Sequence, residues 1–201
     1  MRVGVLGGTF DPPHAGHLRM ARLAQRFMGL EAVLWVPCFR QPLKRSLPSA
    51  SPFHRAAMVA LSIQGHRDWR LCDIELARGS TSYTVETLEE LRRSGSGNDL
   101  FLILGSDSYG SLRYWKRYRD IPALASFVVV PREKTANHGA LAGVPVDRVR
   151  LLRSEPLPVS STIVRDRLAA GAPVSGLVPA AVARYIAKHR LYEGETVRRT
   201  G

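Results

Sequence analysis

The chain has 201 residues, of which 45% are hydrophobic and 23% are charged, as in a globular domain with a full hydrophobic core. It has no run of about 20 apolar residues that would span a bilayer, and two cysteines, Cys38 and Cys72, are too few for a disulfide framework or a cysteine-rich zinc site. The net charge of +12 predicts attraction to polyanions without choosing among nucleic acid, anionic lipid and nucleotide triphosphates. We expect a soluble cytoplasmic protein without a cleavable signal.

Strand-like and helix-like patterns alternate along the chain. Strands are predicted at residues 3–6, 32–36, 69–74, 100–104, 127–130 and 149–152. Helices are predicted at residues 16–29, 53–63, 85–93, 121–125 (with a helical region around Leu112), 161–170 and 179–189. Such alternation favours a parallel sheet covered on both faces, so the predicted fold class is an α/β doubly wound parallel sheet of the Rossmann-like type.

Two segments between these elements look irregular. Residues 37–52 contain four prolines, and residues 133–147 are rich in Gly, Ala and Pro. Long loops of this kind often act as lids or mobile segments in a compact domain. We expect one domain over residues 1–193, followed by a disordered tail at residues 194–201.

The loop after the first strand, residues 7–17 (GGTFDPPHAGH), is the most specific local pattern. Gly7 and Gly8 stand where a parallel strand ends, which lets the backbone approach phosphate groups. His14 and His17 follow at the start of the first helix, where backbone N–H groups and the helix dipole favour an anion. Two imidazoles there would neutralise charge that develops on phosphate. The alternative interpretation is a helix cap and a surface histidine.

A second anion pattern begins the helix predicted at residues 161–170. Ser160, Ser161 and Thr162 place three hydroxyl groups at its N-terminus, and Arg165 follows on its first turns. Hydroxyl and N–H groups at a helix start form an anion-binding nest, and a guanidinium group offers a planar fork to phosphate oxygens. The alternative is an ordinary serine cap followed by a solvated arginine.

Both patterns resemble the motifs of the nucleotidylyltransferase superfamily, GGTFDPPHxGH and SSTxxR. The resemblance implies in-line attack of an acceptor phosphate on the α-phosphorus of ATP, with release of pyrophosphate, no covalent enzyme intermediate, and usually magnesium. It implies a catalytic role for His14, His17 and Arg165, to which Lys44 would add positive charge when its loop closes. The implied ATP-binding set is Gly7, Gly8, Thr9, Phe10, His14, His17, Gly105, Asp107, Ser160, Ser161, Thr162 and Arg165. Mg²⁺ is expected to accompany ATP, without a dedicated protein metal site.

Three further features resemble the bacterial nicotinate-nucleotide adenylyltransferases, over Arg2 to Tyr192. They are Ser82-Tyr83-Thr84 at a helix start, Gly105-Ser106-Asp107 after a strand, and Trp115 eight residues beyond Asp107. The resemblance implies that Tyr83 and Thr84 receive the pyridine carboxylate and that Trp115 stacks on the ring. Asp107 would accept hydrogen bonds from ribose or adenine, and Arg132 would meet the acceptor phosphate. The substrates would be ATP and nicotinate mononucleotide in NAD biosynthesis, with no nucleic-acid or membrane partner.

Two motifs depart from that family, and alternatives stay open. Arg132 is followed by Glu133-Lys134, where relatives commonly show Pro-Gly. Relatives often carry Pro-Pro-His-Lys where this chain has Gln41-Pro42-Leu43-Lys44, so the missing imidazole must be absent or supplied elsewhere, with His54 as a candidate. Nicotinamide mononucleotide is the closest rival acceptor, because Glu86 lies near the Thr84 helix start in sequence, and phosphopantetheine is a more distant one. The rival of a different class is a non-catalytic protein that binds nucleotides or nucleic acid, for which the basic and aromatic residues 113–119 are the argument.

Overall fold

The computed structural model describes residues 1–43, 47–95, 97–132, 143–155 and 157–193. Lys44, residues 133–142 of the second irregular segment, and the tail predicted at residues 194–201 lie outside the described residues. No helix among the residues described is long and apolar enough to cross a membrane.

Six parallel strands form one sheet. They are β1 (Arg2–Gly8), β2 (Ala32–Pro37), β3 (Trp69–Leu71), β4 (Asp99–Gly105), β5 (Ser126–Val130) and β6 (Val149–Leu151), in the order β3-β2-β1-β4-β5-β6. β1 is paired with β2 on one side and β4 on the other, so that Val5 lies between Leu34 and Leu102. The strand order reverses between β1 and β4, which is where open α/β sheets bind ligands, beyond the carboxyl ends of the strands. The predicted fold class is confirmed.

Eight α-helices connect the strands of the described chain. They are α1 (Ala15–Met28), α2 (Pro52–Ser62), α3 (Ile74–Arg78), α4 (Thr84–Ser94), α5 (Ser106–Gly110), α6 (Ile121–Leu124), α7 (Ser161–Ala169) and α8 (Ala180–Lys188). The predicted helices at 16–29, 53–63, 85–93, 161–170 and 179–189 correspond to α1, α2, α4, α7 and α8 within two residues at each end. Left-handed Gly29 ends α1, as its position after the apolar period predicted.

The prediction was wrong at three places. The strand predicted at residues 69–74 ends at Leu71, and Ile74 begins the short helix α3, which a left-handed Gly79 closes. β3 is an edge strand of three residues, and the Cys72 N–H donates to the Trp35 carbonyl at 2.9 Å just beyond it. The short helix α5 was not predicted, and the region around Leu112 forms a 3-10 turn, Leu112–Tyr114. Elements of one or two turns are too short to show a helical period.

The two faces of the sheet carry separate apolar clusters. Leu100, Leu102 and Leu104 of β4 face the side covered by α4, α5 and α6, while Phe101 and Ile103 face α1 and α2. This is the period-two alternation of a strand buried on both faces. A third cluster joins α2, α7 and α8, which fixes the start of α7 beside the loop after β1.

Candidate active site

A cavity of about 690 Å³ opens at the carboxyl ends of β1 and β4. It is lined by every site residue predicted from the sequence except Lys44, which lies outside the described residues. These residues are Gly7, Gly8, Thr9, Phe10, His14, His17, Tyr83, Thr84, Gly105, Asp107, Trp115, Arg132, Ser160, Ser161, Thr162 and Arg165. They come from five separate stretches of chain, and the strand reversal between β1 and β4 brings them to one edge of the sheet.

The two histidines of the first loop cap the start of α1 reciprocally. His14 is the N-cap residue, and its Nδ1 accepts a hydrogen bond from the Gly16 N–H at 3.1 Å. His17 Nδ1 accepts from the His14 N–H at 3.2 Å, and the two ring centroids are 3.8 Å apart. This is the geometry of a capping box built from imidazoles. Since the Gly16 N–H occupies Nδ1 of His14, Nε2 is the ring nitrogen of His14 that can meet a ligand.

His14 is neutral in the folded protein. Its side chain is 1% exposed, and burial, followed by the positive charge of Arg132, lowers its pKa to about 3. Because Nδ1 accepts from Gly16, the neutral ring carries its proton on Nε2 and is a hydrogen-bond donor there. Without a triphosphate beside it, His14 therefore offers a hydrogen-bond donor that carries no charge, and its predicted role at the phosphates stays a prediction.

Two glycines of the motif have different surroundings. A Cβ atom built on Gly16 would lie 2.9 Å from His14 Cε1 and 3.2 Å from Val159 Cγ1, so the absence of a side chain lets the His14 ring pack there. A Cβ atom built on Gly7 would meet no atom within 4 Å. Gly7 therefore presents bare backbone to the open cavity, as a phosphate loop requires.

The start of α7 is attached directly to the first loop. Arg165 Nη1 donates to the Asp11 carbonyl oxygen at 2.7 Å, and the Ser161 hydroxyl donates to the Pro12 carbonyl oxygen at 2.9 Å. Ser160 is the N-cap of α7, its hydroxyl accepting from the Ile163 N–H at 3.2 Å. The serine-cap interpretation is thus correct for Ser160. It does not compete with a ligand role, because the same residues line the cavity.

Asp11 is a buried hub that sequence reasoning missed. Its carboxylate accepts from the Ser49 N–H at 2.8 Å, the Ala50 N–H at 3.0 Å and the Tyr192 hydroxyl at 2.9 Å. Burial, and then the Asp11 charge, raise the pKa of Tyr192, which keeps its hydroxyl protonated as a donor. Asp11 therefore ties the first loop to the irregular segment at residues 37–52 and to the last described turn of the chain.

Arg55 was also missed, and it joins the first loop to the segment between β2 and α2. Its fully buried guanidinium donates to the carbonyl oxygens of Thr9 at 2.7 Å, Phe39 at 3.0 Å and Ala50 at 3.2 Å. Phe10, next to Thr9, has φ +51, which is uncommon for a bulky residue. A signal existed in the sequence, because Arg55, Met58, Val59 and Ser62 form one buried face of α2 at helical spacing.

The start of α4 forms the other side of the site. Thr84 is its first residue, and Tyr83 precedes it without a side-chain cap, while the N–H groups of Glu86 and Thr87 return to the Tyr83 carbonyl at 3.1 and 3.2 Å. This leaves the first helical N–H groups to face an incoming anion. Trp115 lies half-buried in the cavity wall, and the Lys116 ammonium sits 4.4 Å from the Tyr83 ring centroid.

Arg132 and Asp107 meet across the end of β4. Arg132 Nη1 lies 3.1 Å from Asp107 Oδ2, and the Arg132 N–H donates to the Ser106 hydroxyl at 3.0 Å. A Cβ atom on Gly105 would collide with the Asp107 carboxylate and lie 2.7 Å from Arg132 Cδ. Gly105 therefore makes room for an ion pair within the cavity wall, which places a cation and a carboxylate beside any ligand there.

Known proteins share this sequence and fold. A family model described as cytidylyltransferase-like matches residues 5–167. A protein of Salinibacter ruber (strain DSM 13855 / M31), named "probable nicotinate-nucleotide adenylyltransferase", is 38% identical over 96% of this chain and 98% of its own length. One of the same name from Synechococcus sp. (strain JA-3-3Ab) is 36% identical over 95% of this chain and 94% of its own length. This chain belongs to the nicotinate-nucleotide adenylyltransferase family.

A solved structure agrees in fold. Plasmodium falciparum nicotinic acid mononucleotide adenylyltransferase complexed with NaAD has a TM-score of 0.78 to this chain at 19% identity, covering 95% of this chain and 97% of that one. The predicted family and the predicted enzyme class are confirmed by the relatives. The individual roles assigned to the site residues stay predictions.

The family's missing loop histidine is not replaced by His54. Leu43 itself lines the cavity, half-exposed, at the position where relatives often carry the imidazole. His54 lies on α2, and its Nδ1 is 2.9 Å from the Tyr185 hydroxyl of α8, with the His189 ring centroid 5.2 Å from its own. It is absent from the cavity lining. The α2·α8 packing therefore directs His54 away from the site, and that hypothesis is wrong.

Two of the four basic residues in the stretch 113–119 form ion pairs in the fold. Lys116 Nζ lies 2.7 Å from Glu86 Oε1, and Arg117 contacts Glu89 at 2.9 Å and Asp120 at 2.7 Å. Trp115 lines the cavity between these cations. The pairing weakens the argument for a nucleic-acid surface, and the expectation of no nucleic-acid partner stays a prediction.

Proposed function

We infer that this chain is an adenylyltransferase that joins ATP to nicotinate mononucleotide, giving nicotinate adenine dinucleotide and pyrophosphate in NAD biosynthesis. The observation that carries this conclusion is the single cavity that brings both phosphate motifs together with the α4 start and Trp115. The part of the cavity lined by the phosphate motifs suits a nucleoside triphosphate. The part lined by the α4 start and Trp115 suits a flat heteroaromatic ring that carries an anionic group.

We propose that ATP lies over the first loop, between the N-termini of α1 and α7. Gly7 leaves room for phosphate oxygens against the backbone, and the neutral His14 donates its Nε2 proton to one of them. Arg165 supplies full positive charge, and its bond to the Asp11 carbonyl holds it beside the loop. Lys44 would add a further charge from the loop after β2. These groups stabilise the charge that builds on the triphosphate as pyrophosphate leaves.

The acceptor lies on the α4 side. Its pyridine carboxylate faces the N–H groups at Thr84, its ring stacks on Trp115, and Arg132 meets its phosphate. An oxygen of that phosphate attacks the α-phosphorus of ATP. As the new P–O bond forms, the bond from the α-phosphorus to the oxygen that bridges to the β-phosphorus breaks, and its electron pair leaves with pyrophosphate. The attacking phosphate is already anionic, so the protein contributes positioning and charge stabilisation and no general base is required.

We propose that Mg²⁺ enters bound to the triphosphate. Among the described residues, no group of three or more His, Cys, Asp or Glu side chains is placed to hold a metal ion. The exposed carboxylate in the cavity wall, Asp107, is paired with Arg132. The donor set does not form a protein cage, whereas phosphate oxygens and water are the ligands that Mg²⁺ usually keeps. Magnesium would partly neutralise the triphosphate.

Pyrophosphate release tests the function. The full chain is incubated with ATP and Mg²⁺ and with nicotinate mononucleotide, nicotinamide mononucleotide or phosphopantetheine, and kcat/KM is measured for each. We expect turnover with the two pyridine nucleotides, the higher kcat/KM with the acid, and none with phosphopantetheine. Equal kcat/KM for acid and amide would overturn the acid preference. A folded protein that releases no pyrophosphate with any acceptor would overturn the enzyme assignment and favour a nucleotide-binding role.

A further inference from the structure

The carboxylate beside the acceptor side of the cavity is Glu75, which the sequence did not single out. Glu86, the acidic residue that raised the possibility of an amide substrate, points to Lys116 and Arg78 and is absent from the cavity lining. Glu75, the second residue of α3, lines the cavity and is 6% exposed. Glu75, and not Glu86, is therefore the acidic side chain that would interact with a substituent on the pyridine ring.

Hydrogen bonds fix the Glu75 carboxyl group beneath the start of α4. The Thr87 hydroxyl donates to Glu75 Oε1 at 2.6 Å, and Ser82 makes a second side-chain hydrogen bond to the same carboxyl group. Ser82 also accepts from the Phe39 N–H at 3.0 Å, so its hydroxyl proton is free to donate to Glu75. Ser82 and Thr87 flank Tyr83 and Thr84 in sequence, so Glu75 is tied to both sides of the helix start that would receive the ring carboxylate.

The surroundings of Glu75 hold few charges that could offset its own. Arg78 lies on the same helix, but its guanidinium is engaged by Glu90 at 2.8 Å and by Glu86 at 3.8 Å. From the segments after β2 and β3, Cys38 and Cys72 lie near enough for the Glu75 charge to raise the pKa of their thiols, and Arg55 Nη1 lies 4.0 Å from Cys38 Sγ. Burial, opposed by Thr87, Ser82 and Arg78, raises the pKa of Glu75 above its ordinary value. The carboxyl group of Glu75 therefore stays neutral up to a higher pH than that of an exposed glutamate.

We propose that Glu75 sets the preference of this enzyme between acid and amide pyridine nucleotides: its neutral form admits an anionic ring carboxylate at the start of α4, and its ionised form disfavours that carboxylate but not the amide. The inference rests on the proposed function and concerns the same cavity. Two carboxylates in a poorly solvated cavity repel each other, whereas an uncharged carboxamide does not experience that repulsion. Glu75 is a specificity residue here and takes no part in the bond changes.

The ratio of kcat/KM for the acid to kcat/KM for the amide isolates this effect. Titration of the acceptor phosphate and of groups that contact ATP changes kcat/KM for the acid and for the amide alike and cancels in the ratio. As pH rises through the pKa of Glu75, we expect the ratio for the unmodified enzyme to fall about tenfold, the size of a charge repulsion across several ångströms in a partly polar cavity. A purely structural role of Glu75 would not make the ratio depend on pH.

The test measures this ratio from about pH 5 to about pH 9 for the unmodified chain, Glu75→Gln and Glu86→Gln. We expect Glu75→Gln, which keeps the hydrogen-bond acceptor without the charge, to hold a high ratio at every pH. Glu86→Gln, the matched control outside the cavity, should keep the pH dependence. A ratio that is flat in the unmodified enzyme, or one that still falls with pH in Glu75→Gln, overturns the proposal. If Glu75→Gln does not fold, the pH series of the unmodified enzyme decides alone. Failure of the proposed function is separate, since it appears as no turnover of either nucleotide.

Discussion

Arg165 donates to the main-chain carbonyl of Asp11 at 2.7 Å, although the two residues are 154 positions apart in the sequence. This bond joins the two phosphate motifs of the chain, one after β1 and one at the start of α7. The Asp11 carboxylate in turn accepts from Ser49, Ala50 and Tyr192. Asp11 thus positions the positive charge proposed for the triphosphate, through its carbonyl oxygen and through its buried carboxylate, which lies 3.9 Å from Arg165 Nη1.

Replacement of Asp11 by alanine is expected to destabilise the fold strongly. The change leaves two backbone N–H groups and the Tyr192 hydroxyl without their buried acceptor, and loss of one member of such a buried charged network typically costs about 3–5 kcal/mol. Tyr192→Phe, which removes one donor and keeps the rest, should cost about 1 kcal/mol. Urea unfolding of both variants gives the free energies. If Asp11→Ala lowers the free energy of unfolding no more than Tyr192→Phe does, the proposed stabilising role of the Asp11 carboxylate is contradicted.

His17→Ala should lower kcat, with a loss of stability of about 1 kcal/mol because its Nδ1 no longer accepts from the His14 N–H. The variant loses an imidazole that lines the cavity, and removal of one preorganised donor to developing charge typically lowers kcat by about 10²–10³-fold. His54→Ala is the control, because that histidine packs against Tyr185 outside the cavity. The measurement is steady-state pyrophosphate release, with circular dichroism to check folding. Near-normal kcat in His17→Ala would refute its role.

The buried neutral state of His14 predicts a pH dependence of stability. Its pKa is lowered from 6.5 to about 3, so below pH 6.5 the unfolded chain binds a proton that the folded chain does not. The free energy of unfolding should therefore fall as pH falls from 6.5 toward 3, by about 2 kcal/mol from this group on reaching about pH 5.

His14→Asn separates this contribution from those of other groups. Asparagine is a good helix N-cap but does not titrate, so the variant should show a shallower fall in stability over the same pH window. Chemical denaturation at a series of pH values gives the two slopes. Identical slopes in the parent and the variant would show that His14 is not the group responsible.

Two glycine substitutions in the first loop should affect different properties, one the stability of the fold and the other the binding of ATP. In Gly16→Ala the new Cβ would press on His14 at 2.9 Å and on Val159, so we expect a lower melting temperature and displacement of the His14 ring. In Gly7→Ala the Cβ meets open space, so the fold should keep its stability while the methyl group obstructs phosphate approach and raises the KM for ATP. Thermal unfolding and ATP titration of both variants compare the two effects, and an unchanged KM in Gly7→Ala would contradict ATP binding over that residue.

The sequence was sufficient for the fold class and for both phosphate motifs that line the cavity. Each long element repeats its own period, as β4 does through Leu100 and Phe101 on opposite faces, and each phosphate motif lies within about ten residues of chain. Parallel strands then bring their carboxyl ends to one edge, so residues that follow different strands were expected to meet. Short elements such as α3 and α5 were missed because one turn carries no period.

Only the tertiary structure decided which charged side chains line the cavity and which form ion pairs outside it. Glu86 is nearer to Thr84 in sequence, yet it turns to Lys116, while Glu75 reaches the cavity from a helix that the sequence had not predicted. His14 keeps its imidazole but loses its charge, because burial removes the water that would solvate an imidazolium ion. Protonation and orientation depend on neighbours from distant parts of the chain, whereas periods and motifs depend on neighbours along it. The residue types at the site were therefore readable from the sequence, and their charge states were not.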